Sequence, residues 1–337
     1  MFYMSLIWEL PSGSVFLSEP QDSRSTLKIT LSDETVFSPR TMCDTSYPPD
    51  LIKQILDVKG VEWLCDEIAR DEDPVYVQKY LSNELTAYFG SETFTGKRIL
   101  DFGCGCGAST MWLARQFPQS KVIGVELVDD LLSVAKARLK HYGYKNVEFF
   151  QSPNRDELPR NIGRFDLVIL SAVYEHLLPD ERQVVLKQLW SSVVENGSLF
   201  LNQTPNLAFP LELHTTMLPL INYAPDRLAL WAARRFSRRI DPFESWQELL
   251  RKGIRGSTVS EITGILNDSS SDVILLEPSR NGFQDRVDLW FSTTNSSNLF
   301  TLKKISKIVL KGLYKLTALA LVPDLALAYN KTSPSAK

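Results

Sequence analysis

A glycine-rich stretch between a predicted strand and a predicted helix is the strongest chemical signal in the chain. Residues 99–110 read ILDFGCGCGAST, so an apolar strand reaches Asp101 and is followed by Gly103, Gly105 and Gly107 at alternate positions. Glycine lets the backbone turn sharply and approach a ligand where a Cβ atom would collide. The helix that follows directs its free N–H groups and positive dipole end at the bound molecule. The stretch therefore predicts a ligand-binding loop at the carboxyl end of a strand.

An acidic residue at the end of the next strand points to a ribose. Glu126 follows Gly107 by 19 residues and ends the apolar run that begins at Lys121. A carboxylate there can accept two hydrogen bonds from neighbouring ribose hydroxyls, as any nucleoside cofactor requires. The glycines alone do not identify the cofactor, because Gly103, Gly105 and Ala108 also satisfy the dinucleotide pattern G-x-G-x-x-A.

Asp101 distinguishes between a dinucleotide and a positively charged nucleoside cofactor. A pyrophosphate would be repelled by an acid two residues before the first glycine, whereas a cofactor with ammonium and sulfonium groups is attracted by it. Here the sequence resembles the class I S-adenosylmethionine-dependent methyltransferases. Residues 101–107 match the D-x-G-x-G-x-G loop of that family, Glu126 matches its ribose-binding acid, and FDLVIL at 165–170, followed by Glu-His-Leu at 175–177, matches its fourth strand.

The resemblance implies S-adenosylmethionine as cofactor and a set of residues that bind it. Many members hold the adenine amino group with an Asp near the end of the third strand, where this chain reads Gln-Ser-Pro-Asn at 151–154. Ser152 or Asn154 would then substitute for it, unless backbone groups alone hold the adenine. The cofactor-binding residues expected are Asp101, Gly103, Gly105, Gly107, Glu126, Ser152, Asn154 and Ser171.

Two of the three histidines are candidates for catalysis. Methyl transfer from a sulfonium requires donor and acceptor at near-attack distance, and a hydroxyl acceptor also benefits from a general base. His176 follows the fourth strand, and His214 lies in residues 202–219, which look like the acceptor segment of methyltransferases that act on quinone precursors and sugars. The predicted acceptor is a small molecule with a hydroxyl group, namely a sugar, phenol or lipid-linked compound. The alternatives are that His176 only orients its loop and that His214 is an ordinary loop histidine.

Strands alternate with helices through the middle of the chain, and each strand is almost entirely apolar. This pattern predicts an α/β fold with a doubly wound, mostly parallel seven-stranded sheet covered on both faces. The last strand is either Val287 to Phe291 or Leu325 to Tyr329, and the second resembles the terminal strand of the family. The predicted segments are a poorly defined arm or hairpin (1–46), a helical extension or lid (47–96), the cofactor-binding core (97–203), an acceptor-side insertion (204–257), the end of the sheet with a basic helix (258–331) and a frayed tail (332–337).

Composition and charge narrow the range of partners. The net charge is −3, which argues against a nucleic-acid partner. The lysines are also not flanked by the aromatic side chains on which the bases of single-stranded nucleic acids stack, so no nucleic-acid partner is expected. Four scattered cysteines exclude a disulfide framework, and the C-x-C of residues 104–106 lacks partners at zinc spacing, so no metal site is expected. Neither a signal peptide nor an uninterrupted apolar run of about 18 residues is evident, so the cytoplasm is the expected compartment.

A basic amphipathic segment at 303–316 suggests contact with an anionic membrane. Its alternative is a helix that packs on the domain and leaves its basic face in solvent. Two further functions stay open at this point, an NAD-type oxidoreductase that uses the same glycine loop and a non-catalytic homologue that binds the cofactor. The oligomeric state is also open.

Overall fold

The computed structural model describes residues 4–33, 36–90, 92–269, 272–293, 300–317 and 319–332. Residues 333–337 of the tail predicted to fray lie outside the described residues. The strands are β1 (Met4–Leu10), β2 (Gly13–Ser18), β3 (Ser25–Leu31), β4 (Met42–Thr45), β5 (Arg98–Phe102), β6 (Lys121–Glu126), β7 (Val147–Gln151), β8 (Phe165–Ser171), β9 (Val193–Pro205), β10 (Asp272–Leu275) and β11 (Asp324–Thr332).

Helices flank these strands along the whole chain. They are α1 (Pro49–Lys59), α2 (Val61–Glu72), α3 (Pro74–Val77), α4 (Asn83–Thr86), α5 (Ala108–Gln116), α6 (Asp129–Tyr142), α7 (Pro179–Ser192), α8 (Asp226–Phe236), α9 (Trp246–Arg251), α10 (Val259–Asn267), α11 (Arg286–Thr293) and α12 (Phe300–Thr317). A π-helical turn at Gln78–Ser82 joins α3 to α4, and a 3-10 turn at Tyr174–His176 follows β8. None of the helices among the described residues is long and apolar enough to cross a bilayer.

The central sheet confirms the predicted fold class. Seven strands lie in the order β10-β11-β9-β8-β5-β6-β7. The five strands from β9 to β7 pair in parallel, and β11 runs antiparallel to both of its neighbours. The chain passes from β5 to β6 on one side and returns to β8 on the other. This reversal opens a crevice beyond the carboxyl ends of β5 and β8, where open α/β sheets bind ligands.

Apolar side chains on both faces of the strands stabilise the central sheet by packing into two cores. Leu100 and Val168 point into a core shared with α7, and Ile99 and Leu167 point into a second core on the other face. All four are fully buried. Because a buried parallel strand needs apolar residues on both faces, its sequence is continuously apolar rather than alternating. Each strand is therefore held in place along its buried apolar run, and its polar residues begin where that run ends.

The N-terminal residues form more than the predicted hairpin or loose arm. β1 to β4 make a four-stranded antiparallel sheet. Alternate residues of this sheet, among them Val15, Leu27 and Ile29, are buried against Ile52 and Ile55 of α1. This core, which also includes Cys106 and Val134 of the central domain, explains how a segment rich in serine and threonine packs on the protein.

The structure decides between the two candidates for the last strand. Val287 to Phe291 lies within helix α11, and the backbone N–H of Asp288 donates to the Asp285 carboxylate at 2.8 Å at its start. Leu325 to Tyr329 lies within β11, which pairs with β9. The interpretation of Val287 to Phe291 as a strand is therefore wrong. A five-residue apolar run is compatible with either structure, and only packing distinguishes them.

Candidate functional site

A cavity of about 860 Å³ lies in the crevice at the carboxyl ends of β5, β6 and β8. The loop from Gly103 to Cys106 and the side chain of Glu126 line one end. The other end is lined by His176 and His214 and by residues of α3, α4 and α11. The cavity is within the range of small-molecule sites, and it joins two regions that are far apart in sequence.

Backbone conformation explains the glycines of the loop. Gly103, Gly105 and Gly107 have φ angles of +70°, +54° and +82°, which residues with a side chain rarely adopt. A Cβ atom at Gly103 would lie 2.7 Å from Val173, and one at Gly107 would lie 2.8 Å from Ala135. A Cβ atom at Gly105 would meet no atom within 4 Å. Gly105 lines the cavity, so a side chain there would occupy ligand space.

Asp101 lies behind the loop and not among the residues that line the cavity. Its carboxylate is buried and accepts hydrogen bonds from the hydroxyls of Ser109 at 2.7 Å and Thr110 at 2.6 Å, both in the first turn of α5. Burial raises the pKa of Asp101 to about 6. The Asp101 side chain therefore links the end of β5 to the start of α5 by hydrogen bonds. This corrects the expectation that it contacts a charged donor directly, because it can act on a ligand only through the loop.

Glu126 lies at the end of β6, and its role in ribose binding stays a prediction. Its carboxylate is almost fully buried at the end of β6 and lines the cavity. One oxygen accepts the backbone N–H groups of Leu127 and Val128, and the other accepts that of Gly105 at 2.9 Å. A carboxylate has about four acceptor positions, so these three bonds orient the group and leave about one position for a ligand hydroxyl.

The three polar residues expected near the cofactor all line the cavity, but their side chains have partners already. The Ser152 hydroxyl donates to the carbonyl of Glu157 at 2.5 Å. The side-chain oxygen of Asn154 accepts the N–H of Asp156 at 3.1 Å, and the Ser171 hydroxyl accepts from Gln203 at 3.3 Å. Their roles in cofactor binding stay predictions.

His176 and His214 also line the cavity, and their ring centroids are 6.0 Å apart. Nδ1 of His176 lies 2.7 Å from the carbonyl oxygen of Arg251, and Nε2 lies 3.6 Å from a carboxylate oxygen of Glu175. Burial lowers the pKa of His176, and burial followed by the neighbouring His176 lowers the pKa of His214. Both imidazoles are therefore neutral near pH 7 and able to accept a proton.

Sequence reasoning missed the buried acids at this end of the cavity. Burial raises the pKa of Glu175 to about 8, that of Glu84 to about 8 and that of Asp324 to about 6. Glu175 belongs to the Glu-His-Leu motif, which could have identified it as a site residue from the sequence. Glu84 and Asp324 come from α4 and β11, and nothing in their local sequence places them beside the end of β9.

Comparison with known proteins identifies the central segment. Residues 99–197 match the family model described as a methyltransferase domain. The chain is 33% identical over 132 residues to a demethylmenaquinone methyltransferase of Lactococcus lactis, covering 39% of this chain and 51% of that protein. It is 27% identical over 153 residues to a trans-aconitate 2-methyltransferase of Variovorax paradoxus, covering 45% and 55% respectively. The chain thus spans about half the length of the curated relatives it matches.

A solved methyltransferase from Aquifex aeolicus has a similar chain trace at 16% identity, with a TM-score of 0.40 over 69% of this chain and 94% of that one. The domain match covers the glycine loop, Glu126 and the turn at Tyr174–His176. It decides between the two cofactors that the glycines left open, because S-adenosylmethionine is the cofactor of this family. The domain match and the relatives therefore support a class I S-adenosylmethionine-dependent methyltransferase domain at residues 99–197 of this chain.

Proposed function

We propose that this chain transfers a methyl group from S-adenosylmethionine to a hydroxyl of a small molecule, such as a sugar, a phenol or a lipid-linked compound. The observation that carries the proposal is the single cavity that joins the glycine loop and Glu126 at one end to two neutral histidines at the other. A donor and an acceptor bound at the two ends would meet inside it, and such positioning supplies a large part of the rate of a displacement.

The loop end fits S-adenosylmethionine. Gly105 leaves open space where a Cβ atom would stand, and Glu126 keeps an acceptor position for a ribose hydroxyl. The loop is followed by the N-terminus of α5, and Ser152, Asn154 and Ser171 lie along the same wall. When bound, the cofactor supplies a methyl carbon whose bonding electron pair leaves with sulfur.

His176 is the better placed of the two candidate bases. The Arg251 carbonyl oxygen accepts the proton on Nδ1, which directs the lone pair of Nε2 toward the cavity. We expect Nε2 of His176, or a ring nitrogen of His214, to take the proton of the acceptor hydroxyl. The hydroxyl oxygen forms the bond to the methyl carbon in the same step. Proton transfer of this kind contributes about 10²–10⁴-fold in rate.

Replacing His176 tests the proposal. His176→Asn is expected to lower kcat by about 10²–10⁴-fold and to leave the affinity for S-adenosylmethionine unchanged, since the side chain lies at the acceptor end. Transfer of labelled methyl to a panel of sugar, phenol and lipid-linked hydroxyls measures the rate, and titration calorimetry measures the affinity. His141→Asn is the matched control, because His141 contacts Ser46 and does not line the cavity. Cofactor binding by the wild type without turnover on any acceptor would instead favour a non-catalytic homologue.

Helix α12 carries the second part of the proposal, contact with an anionic membrane. Lys307 and Lys311 form ion pairs with Asp288 of α11 and with Asp285 just before that helix, so they face the protein rather than solvent. The solvent-facing side instead combines exposed apolar residues, at 72% for Ile308 and 84% for Leu316, with the exposed Lys304 and Lys315. The expected solvated basic face is thus wrong for Lys307 and Lys311.

An exposed apolar face beside the cavity suits an acceptor that reaches the enzyme from a lipid surface. Trp290 and Thr293 of α11, on which α12 packs, line the cavity. Co-sedimentation with anionic phospholipid vesicles is expected for the wild type and is expected to fall for Ile308→Asp. Val184→Asp serves as control, because Val184 is 50% exposed on α7. Equal pelleting of all three proteins, or of none, would contradict membrane contact through α12.

A further inference from the structure

Three potential metal ligands converge at the acceptor end of the cavity. Glu175 and His176 belong to the 3-10 turn after β8, and His214 belongs to the segment that follows β9. One donor atom from each lies within 4.8 Å of the others. Donor atoms around a tetrahedral zinc ion stand roughly 3.3 Å apart, given metal–ligand distances of about 2.0–2.1 Å. Small side-chain rotations would therefore bring the three into coordination geometry.

The buried carboxylate of Glu175 has one unmatched oxygen. Its Oε2 accepts a hydrogen bond from the Thr204 hydroxyl at 3.3 Å. Its Oε1 has no hydrogen-bond partner among the described residues, although the side chain is fully buried, and it faces Nε2 of His176 at 3.6 Å. An unmatched polar atom of this kind is costly and is rare in folded proteins. A cation between Glu175 and the two histidines would satisfy it.

His176 is held in the orientation that a ligand requires. Its Nδ1 proton points to the carbonyl oxygen of Arg251, so Nε2 presents its lone pair to the cluster. Metal-binding histidines commonly donate their other N–H to a carbonyl or carboxylate in this manner. Arg251 is itself fixed by Glu181, whose carboxylate pairs with the guanidinium and neutralises it.

Gly253 allows the ligands to approach one another. Its φ angle is +90°, and a Cβ atom there would lie 2.9 Å from Cδ2 of His214 and 3.3 Å from Cγ of Glu175. A residue with a side chain at this position would push apart the two ligands that come from different segments. Glu212 adds to the order of this region, because its carboxylate accepts the backbone N–H groups of His214, Thr215 and Thr216.

We propose that Glu175, His176 and His214 bind one divalent transition-metal ion, with Zn²⁺ the best match to two imidazoles and a carboxylate. This inference rests on the proposed function, since the open positions of the ion would face the cavity and accept the oxygen of the methyl acceptor. A cation lowers the pKa of a hydroxyl bound to it, so that the proton can leave to water. With the ion bound, His176 and His214 act as its ligands in place of the base described for the metal-free site. The acceptor class that this favours is a phenol, or a hydroxyl with a second oxygen beside it that can share the ion.

Metal binding can be measured without any acceptor. Full-length protein is stripped with a chelator and titrated with ZnCl₂ by calorimetry, with the bound metal counted by elemental mass spectrometry. The wild type is expected to bind one Zn²⁺ per chain, and Co²⁺ in its place is expected to give the absorption bands of a tetrahedral site. Glu175→Gln and His214→Asn are expected to weaken binding by at least the 10–100-fold typical of lost support around a metal. His141→Asn, the control, is expected to bind like the wild type.

Titration with S-adenosylmethionine shows whether each variant is folded, because the glycine loop and Glu126 belong to other segments than the substituted residues. Less than stoichiometric Zn²⁺ binding by the wild type, or equal binding by the ligand variants that still bind cofactor, would overturn the metal proposal. Methyl transfer that persists in chelator would do the same and leave the proposed function intact. Stoichiometric zinc without transfer to any acceptor would uphold the site and count against the proposed function alone.

Discussion

The two ends of the cavity are built in different ways. At the proposed cofactor end, the loop, Glu126 and the start of α5 come from about 25 consecutive residues. At the acceptor end, side chains arrive from α4, the turn after β8, the segment after β9 and β11. Backbone recognition tolerates little change, whereas an end built from side chains on separate segments can be altered for a new acceptor. A substitution should therefore affect the function of one end and spare the other.

The largest effect is expected from Gly105→Val at the cofactor end. The valine side chain would occupy the cavity, and the left-handed backbone conformation would cost about 1–2 kcal/mol. Titration calorimetry is expected to show S-adenosylmethionine affinity reduced by at least about a hundredfold, or roughly 2.7 kcal/mol. Gly143→Val is the matched control, because Gly143 has a φ of +68° but lies at the end of α6 outside the cavity. Equal affinity losses in the two variants would show that strain, rather than occupied ligand space, explains the effect.

Glu126→Ala should give the next largest effect. The change removes the ribose acceptor and leaves three backbone N–H groups unpaired, and each unpaired buried group costs about 1–3 kcal/mol. We expect S-adenosylmethionine to bind roughly 5- to 150-fold more weakly, with the acceptor KM unchanged. Glu148→Ala on β7 is the control, because Glu148 is half-exposed in an ion pair with Lys121. Unchanged cofactor affinity in Glu126→Ala would remove the ribose assignment.

The smallest predicted effect concerns pH and the acceptor end. Burial raises the pKa of Glu84 from 4.5 to about 8, and its carboxylate accepts from Asn202 at 2.6 Å and feels the charge of Asp324. A carboxyl whose folded pKa lies above its unfolded pKa contributes stability that is present at low pH and is lost as pH rises through the folded value. The melting temperature of the wild type is therefore expected to fall between pH 7 and pH 9.

Glu84→Gln is expected to reduce that fall, because the amide does not ionise. One kcal/mol corresponds to roughly 2–4 °C in a protein of moderate size, so differential scanning calorimetry can resolve the difference. Affinity for S-adenosylmethionine should match that of the wild type at both pH values, as the comparison of the two ends requires. A variant that loses as much melting temperature as the wild type would show that Glu84 does not titrate in this range.

Prediction from the sequence was most successful where one short segment carries the whole structural pattern, as in the strand, loop and helix around the glycines. The glycine loop and Glu126 follow directly from residue types and spacing, since the turn and the strand ends are set by local conformation. Asp101 shows the limit of this reasoning. The motif indicates that Asp101 lies near the end of the strand, but the sequence does not reveal that the hydroxyls of Ser109 and Thr110 donate hydrogen bonds to its carboxylate.

Short apolar runs and distant side chains were the least predictable features. Val287 to Phe291 is compatible with a strand until its packing is known, and the partly apolar outward face of α12 depends on the acids at the start of α11 that attract Lys307 and Lys311. His176 and His214 were named separately as candidates. Their meeting with Glu175 required the chain to return across the sheet, and no local pattern encodes that return.

The sequence by itself determined the alternation of strands and helices in residues 97–203, the class of the central sheet and the position of the glycine loop. These depend on local backbone preference and on burial of apolar residues along each element. Only the tertiary structure decided which polar side chains share a cavity, which carboxyl groups are buried deeply enough to change their pKa, and which helix face remains in solvent. Those properties arise from contacts between residues far apart in the chain, and desolvation acts on a group only after the surrounding segments have packed around it.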